Sequence, residues 1–158
     1  MRLLVVSDSH KKASVLDRII RKEQNAKEIF FLGDVVEDIE DLVYEYSDRN
    51  FHIVAGNCDY FSCYKSFDFD VINNIKILYC HGHTFYVKSG DKGVLKKFAA
   101  ENGCKIALYG HTHVADIEYD NGLYVVNPGS CSCSREGPES YAVIDILDSG
   151  ILPQIIKL

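Results

Sequence analysis

Phe30-Phe31-Leu32-Gly33-Asp34 is the stretch whose reading decides the fold. The apolar run from Ile29 to Leu32 has the length and continuity of a strand buried on both faces. Gly33 then allows a sharp turn and sets Asp34 at the carboxyl end of that strand. In open α/β sheets this is the edge where ligands bind. A single Gly-Asp pair would be an ordinary turn, but the same construction recurs. Leu3–Val6 runs into Ser7-Asp8-Ser9-His10, and His52–Ala55 into Gly56-Asn57-Cys58-Asp59. Lys76–Cys80 runs into His81-Gly82-His83, and Lys105–Tyr109 into Gly110-His111-Thr112-His113. Five apolar runs thus deliver Asp, Asn or His just past their last apolar residue.

Between these strands the periodicity changes. Ala13, Leu16, Ile19 and Ile20 lie at helical spacing and predict a helix over 12–24, with Ser14 or the preceding loop as its cap. Glu37, Asp38, Glu40 and Asp41 open a second helix running to about Tyr46; carboxylates in a first turn suit the helix dipole, so the cluster reads as a capped, solvated face. Phe67-Asp68-Phe69-Asp70-Val71 alternates, and Asn73-Asn74 turns it back as a hairpin onto the His81 strand. A third helix spans 91–102, capped by Asp91 and stopped at Asn102-Gly103. The last third is β: 116–119, a turn at Asp120-Asn121-Gly122, then 123–126, 140–146 and 151–157. Strand–helix units followed by hairpins predict an α/β fold, a two-sheet β-sandwich flanked by helices, over a single domain 1–158. Ser130–Pro138 reads as a mobile loop of small residues.

A chain of 158 residues, 47% hydrophobic and 25% charged, has the composition of a soluble globular protein. It contains no apolar run near the roughly 18 residues of a membrane span. The first strand leads straight into Asp8 and does not read as a signal peptide, so a cytoplasmic location is expected. The net charge of −6 argues against a broad nucleic-acid surface. The six cysteines match no zinc-ribbon spacing and are expected to be reduced.

Asp8, His10, Asp34, Asn57, His81, His111 and His113 all sit at strand ends and can bind metal. Asp8-x-His10 and His111-x-His113 send alternate side chains to one side, so each can chelate. Mixed carboxylate and imidazole donors suit Mn²⁺, Fe²⁺, Zn²⁺ or Ni²⁺ better than Ca²⁺ or Mg²⁺. Seven such residues exceed the needs of one tetrahedral zinc, whereas two octahedral ions sharing a carboxylate could use them all. His83 reads as a supporting histidine behind His81, and His52 as a surface residue. Lys88 and Arg135 are candidate phosphate contacts, with a solvated surface role the plainer reading.

In order, Asp8-x-His10, Gly33-Asp34, Gly56-Asn57, His81 and Gly110-His111-x-His113 resemble the calcineurin-like metallophosphoesterase superfamily, and within it the small single-domain bacterial and archaeal phosphodiesterases. The match extends to Asn127-Pro128-Gly129-Ser130, a loop that could turn backbone N–H groups toward a phosphate. The resemblance implies a four-layer sandwich with a dinuclear centre of two divalent transition-metal ions, Mn²⁺ first among them. Asp8, His10 and His113 would hold one ion, Asn57, His81 and His111 the other, and Asp34 would bridge them. It also implies hydrolysis of a small phosphodiester by a metal-bridging hydroxide, with Asn57 stabilising charge on the phosphoryl oxygens. Where the wider superfamily has Gly-Asn-His, this chain has Cys58, so a proton-donating imidazole is missing. Asp59 could orient a water or ligand, or simply make a turn. The rival readings are a non-catalytic metal-binding scaffold of the same fold, a phosphomonoesterase or pyrophosphatase, and a nuclease, the last disfavoured by the acidic chain. An exposed β edge in the last third could pair with a second copy as a homo-oligomer.

Overall fold

The computed structural model describes residues 1–158. In chain order the elements are β1 (Arg2–Val6), α1 (Ala13–Lys22), β2 (Ala26–Phe31), α2 (Glu37–Glu45), β3 (Asn50–Ile53), β4 (Phe67–Ile72), β5 (Ile75–Cys80), α3 (Gly93–Glu101), β6 (Ile106–Leu108), β7 (Ala115–Asp120), β8 (Leu123–Pro128), β9 (Ser140–Leu147) and β10 (Gly150–Lys157), with short 3₁₀ turns at His83–Phe85 and Val87–Ser89. They form two five-stranded sheets, ordered β10-β9-β1-β2-β3 and β4-β5-β6-β8-β7. This is the expected α/β two-sheet sandwich. No helix is long and apolar enough to cross a membrane.

Period-two alternation builds the layers. Leu3, Val5, Phe30 and Leu32 face Ile77, Tyr79, Ile106 and Leu108 between the sheets. Leu4, Val6, Ile29 and Phe31 point the other way, under Leu16, Ile19 and Ile20 of α1 and Ile39 and Leu42 of α2. Leu78, Cys80 and Ala107 lie beneath Leu95 and Ala99 of α3. Each central strand is therefore buried on both faces, which is why its sequence is a continuous apolar run.

β1, β2 and β3 run parallel in one sheet, and β5, β6 and β8 run parallel in the other. Their carboxyl ends carry Asp8, Asp34, Asn57, His81 and the His111–His113 loop to one edge of the sandwich. β9 completes the first sheet from the far end of the chain, antiparallel to β1 with Leu3 opposite Ile144.

Of the two caps open for α1, the preceding loop serves and Ser14 does not: Lys12 is the N-cap residue, and its N–H donates to Asp38 Oδ2 at 3.1 Å. Three local expectations are corrected. Asp38 accordingly is not part of a solvated face but is buried, accepting also from Ser9 Oγ at 2.7 Å, while Glu37, Glu40 and Asp41 remain exposed. His52 is not a surface residue. Its ring stacks on Phe30 at 4.4 Å, and its nitrogens lie 2.8 Å from Glu28 Oε2 and 2.7 Å from Asp70 Oδ2. One imidazole with a carboxylate on each side thereby joins β2 of one sheet to β4 of the other. Finally, the first part of the Ser130–Pro138 loop is held: Ser130 and Ser132 are buried and donate to Asp8 O at 2.8 Å and Ser9 O at 2.7 Å.

Phe30 lies in the layer shared by both sheets and supports the His52 ring. Phe30→Ala is expected to lower the unfolding free energy by about 3–5 kcal/mol, read from denaturant titration, because it empties a volume that neither sheet can collapse to fill.

Candidate metal centre

The side chains converge through the backbone of the loops after the strands. Asp8, His10, Asp34, His111 and His113 have φ of 56°, 44°, 61°, 69° and 61°. Non-glycine residues in this left-handed region cost of order 1–3 kcal/mol each, and Asp and His tolerate it better than most. The two x-spaced pairs thus converge through left-handed turns beyond β1 and β6, and strand alternation is not what aligns them.

Two glycines let these loops meet. Gly33 has φ of +95°, and a Cβ there would lie 2.5 Å from Gly56 N. A Cβ on Gly110 would run into Ser7 Oγ and lie 2.9 Å from Asp8 Oδ2. Gly110 belongs to the second sheet's loop and Ser7-Asp8 to the first, so this contact is where the two sheet edges close on each other.

Asp59 sits behind this junction. Its Oδ1 accepts Val35 N at 2.8 Å and Val36 N at 3.0 Å, and its Oδ2 accepts Asp34 N at 3.0 Å and Gly56 N at 2.6 Å. One carboxylate thus ties the loop after β2 to the loop after β3. The sequence offered a turn or a ligand-orienting group here; the spacing Gly56-x-x-Asp59 was the only sign of the clasp. Ser7 is a further supporting residue that the sequence did not single out, donating to Asp8 Oδ2 at 2.6 Å. Asn127 holds the His111 loop by donating to Gly110 O at 3.1 Å and Thr112 Oγ1 at 2.9 Å. The Asn127–Ser130 segment therefore acts as a brace, with the Asn127 side chain, the Gly129 N–H and the Ser130 hydroxyl spent on the protein.

Asp8, His10, Asp34 and His113 form a group whose ligand atoms all lie within 4.8 Å of one another. His113 Nε2 is 3.1 Å from Asp8 Oδ1 and 3.2 Å from His10 Nε2, and His10 Nε2 is 3.9 Å from Asp34 Oδ2. On its other side Asp34 Oδ1 is 3.4 Å from His81 Nε2 and accepts Cys58 N at 3.0 Å. His111 also joins, with its ring 5.0 Å from that of His81 and its backbone N–H donating to Asp8 Oδ2 at 3.1 Å. Of the seven residues singled out, Asn57 alone is exposed, with its amide turned toward Cys58 Sγ at 3.6 Å. His83 stands beside the cluster, 5.3 Å from His81 and 6.2 Å from His111 between ring centres.

The donor set fits a cation. His113 Nδ1 is 2.7 Å from Cys133 O and His81 Nδ1 is 2.7 Å from Leu32 O. A carbonyl only accepts, so both Nδ1 atoms carry hydrogen, and it is Nε2 of each ring that is turned into the cluster and offers its lone pair to a cation. Asp8 Oδ1 and His81 Nε2 are buried with no aligned hydrogen-bond donor. Buried carboxylate oxygens facing imidazole lone pairs are costly unless positive charge lies between them. The local field agrees. Burial resists ionisation of Asp8, yet His113, His81 and Ser7 outweigh it and hold its pKa below the usual carboxylate value. The Asp8 carboxylate raises the pKa of His113, while desolvation, with His81 adding to it, pushes His111 down to about 4. Desolvation and the neighbouring Asp34 push the Cys58 thiol up to about 11, so it stands as a neutral thiol and not a nucleophile.

Comparison with known proteins places the chain in a family. A calcineurin-like phosphoesterase superfamily domain matches residues 1–149. The chain belongs to the calcineurin-like phosphoesterase superfamily. It is 29% identical over 148 residues to the probable metallophosphoesterase YsnB of Bacillus subtilis, an alignment covering 92% of this chain and 85% of that protein. It is 24% identical to the phosphodiesterase YfcE of Escherichia coli, covering 92% and 88%. A conserved Streptococcus pneumoniae protein described as a predicted phosphoesterase superposes with a TM-score of 0.86 and 26% identity, covering 99% of this chain and 88% of the other. Membership of this family, with a buried donor set of this kind, implies divalent metal ions.

Asp59→Ala leaves four backbone amides without their acceptor. It is expected to cost about 2–4 kcal/mol of stability by chemical denaturation, with Asp59→Asn in between because it keeps one accepting oxygen.

Proposed function

We propose that the chain is a metal-dependent phosphodiesterase working at a dinuclear centre. The observation that carries this reading is the position of Asp34, whose Oδ2 faces His10 at 3.9 Å and whose Oδ1 faces His81 at 3.4 Å. A carboxylate between two donor sets is what a pair of cations requires. Asp8, His10 and His113 would hold one ion, and His81, His111 and Asn57 the other, with Asp34 shared. The mixture of carboxylate, imidazole and amide donors suits Mn²⁺, with Ni²⁺, Fe²⁺ or Zn²⁺ also accommodated. Two such ions, when bound, would lower the pKa of a shared water and offset negative charge on a phosphoryl group.

The chain's own residues do the rest. The left-handed turns at Asp8, Asp34 and His113 hold the donors in place before any ligand arrives. Asn57 is exposed and sits in the loop that Asp59 ties to Asp34, so its amide would turn from Cys58 to a phosphoryl oxygen. Asp59 serves by holding the loops of Asp34 and Asn57 together, since both its oxygens are occupied by backbone amides. Cys58, a neutral thiol, is a weak proton donor at the position next to Asn57. Leaving groups must therefore depart largely without a side-chain acid. The diester substrate class draws its support from the family and from relatives that carry the phosphodiesterase name.

Metal-stripped protein should not hydrolyse bis(p-nitrophenyl) phosphate, and added Mn²⁺ should restore turnover. Asp34→Asn should lower kcat by roughly a hundredfold or more. An aryl phosphomonoester turned over faster than the diester would move the assignment to a phosphomonoesterase. Protein shown to bind two ions yet inert toward both would move it to a scaffold.

A second measurement follows from the neutral Cys58. Across a series of aryl phosphodiesters, log kcat should fall steeply as leaving-group pKa rises. A flat series would show that a proton donor acts after all.

A further inference from the structure

On the far side of the His111–His113 loop lies a cavity of about 650 Å³. That volume is in the range of small-molecule sites. Val87, Tyr109, Thr112 and Val114 line it, and Lys88 and Arg135 stand at it. Thr112 and Val114 flank His113, whose ring is turned into the metal cluster, so a wall one residue thick separates the cavity from the donors. Arg135 is anchored to the same wall, its backbone N–H donating to His113 O at 3.2 Å.

The charges around the cavity are not equivalent. Lys92, which also lines it, is committed to Asp116 at 2.6 Å and Glu118 at 2.5 Å. Asp116 is further occupied by Tyr109 OH at 3.2 Å. Lys88 and Arg135 have no carboxylate partner, and Glu136 is the one lining carboxylate without a cation. Two unpaired cations against one unpaired carboxylate leave this mouth positive, on a chain whose net charge is −6. An apolar patch of Val87, Tyr109 and Val114 beside an Arg fork and a Lys matches an organic body that ends in a phosphate.

Building on the phosphodiesterase reading, we infer that this cavity binds a second phosphate of the substrate, held by Arg135 and Lys88 while the scissile diester lies at the metal centre. The preferred substrates are then phosphodiesters bearing a further phosphate on the group that spans the wall.

Binding tests this without relying on turnover. Calorimetry on the Mn²⁺-loaded protein would compare propane-1,3-diyl bisphosphate with inorganic phosphate. The bisphosphate should bind roughly tenfold or more tightly, the worth of one charge-assisted contact. In the Lys88→Ala/Arg135→Ala double variant that ratio should fall close to one, while binding of inorganic phosphate shows that the protein is folded and loaded. Arg135→Lys should recover part of the ratio, since it keeps the charge but loses the planar fork. Equal affinities in the unmodified protein, or a preference that persists in the double variant, would overturn the inference. A preference that collapses in the variant, in protein that does not hydrolyse bis(p-nitrophenyl) phosphate, would uphold the cavity and remove the diesterase reading.

Discussion

Two carboxylates buried at the ends of apolar strands set the terms for everything around them. Asp8 is wholly inaccessible and Asp34 is 3% exposed. Neither position is tolerable for an ion in isolation, and the protein answers with a graded set of partners. Ser7 and the His111 amide take one oxygen of Asp8, and the Cys58 amide takes one of Asp34. What remains is Asp8 Oδ1, facing His113 in a group of donors built for a cation. The supporting hydrogen bonds at Cys133 and Leu32 matter as much as the donors, because they fix which imidazole nitrogen carries hydrogen.

The sandwich supplies the geometry that this charge arrangement needs. Each sheet alone would bring only part of the set to its edge: Asp8, Asp34 and Asn57 from one, and His81, His111 and His113 from the other. Packing Leu3, Val5 and Phe30 against Ile77, Ile106 and Leu108 aligns the two edges. Gly110 then lets the loops touch. Core burial and site assembly are in this sense one event.

Much of this was legible in the sequence, for a physical reason. Parallel strands buried on both faces leave unbroken apolar runs, and each run here ended in the polar residue that the edge displays. Helix limits came within a few residues because periodicity marks the buried face. The misses share another cause. Asp38, His52 and Asp59 are polar residues whose partners are distant in sequence or lie in the backbone, and a carboxylate that turns inward to accept amides looks the same in sequence as one that faces water. The same applies to Arg135 and Lys88, whose separation of dozens of positions hid a shared cavity.

The serine clasp on the first loop bears on the order of assembly. The carbonyls of Asp8 and Ser9 are held by Ser130 and Ser132, 122 and 123 positions further on, and β1 is flanked by β9. Segments distant in sequence meet where the first donor is fixed. Such long-range pairing slows folding and makes it cooperative. β1, β2 and the loops after them carry Asp8, His10 and Asp34 but not His113, so the donor group is complete only once both sheets are in place.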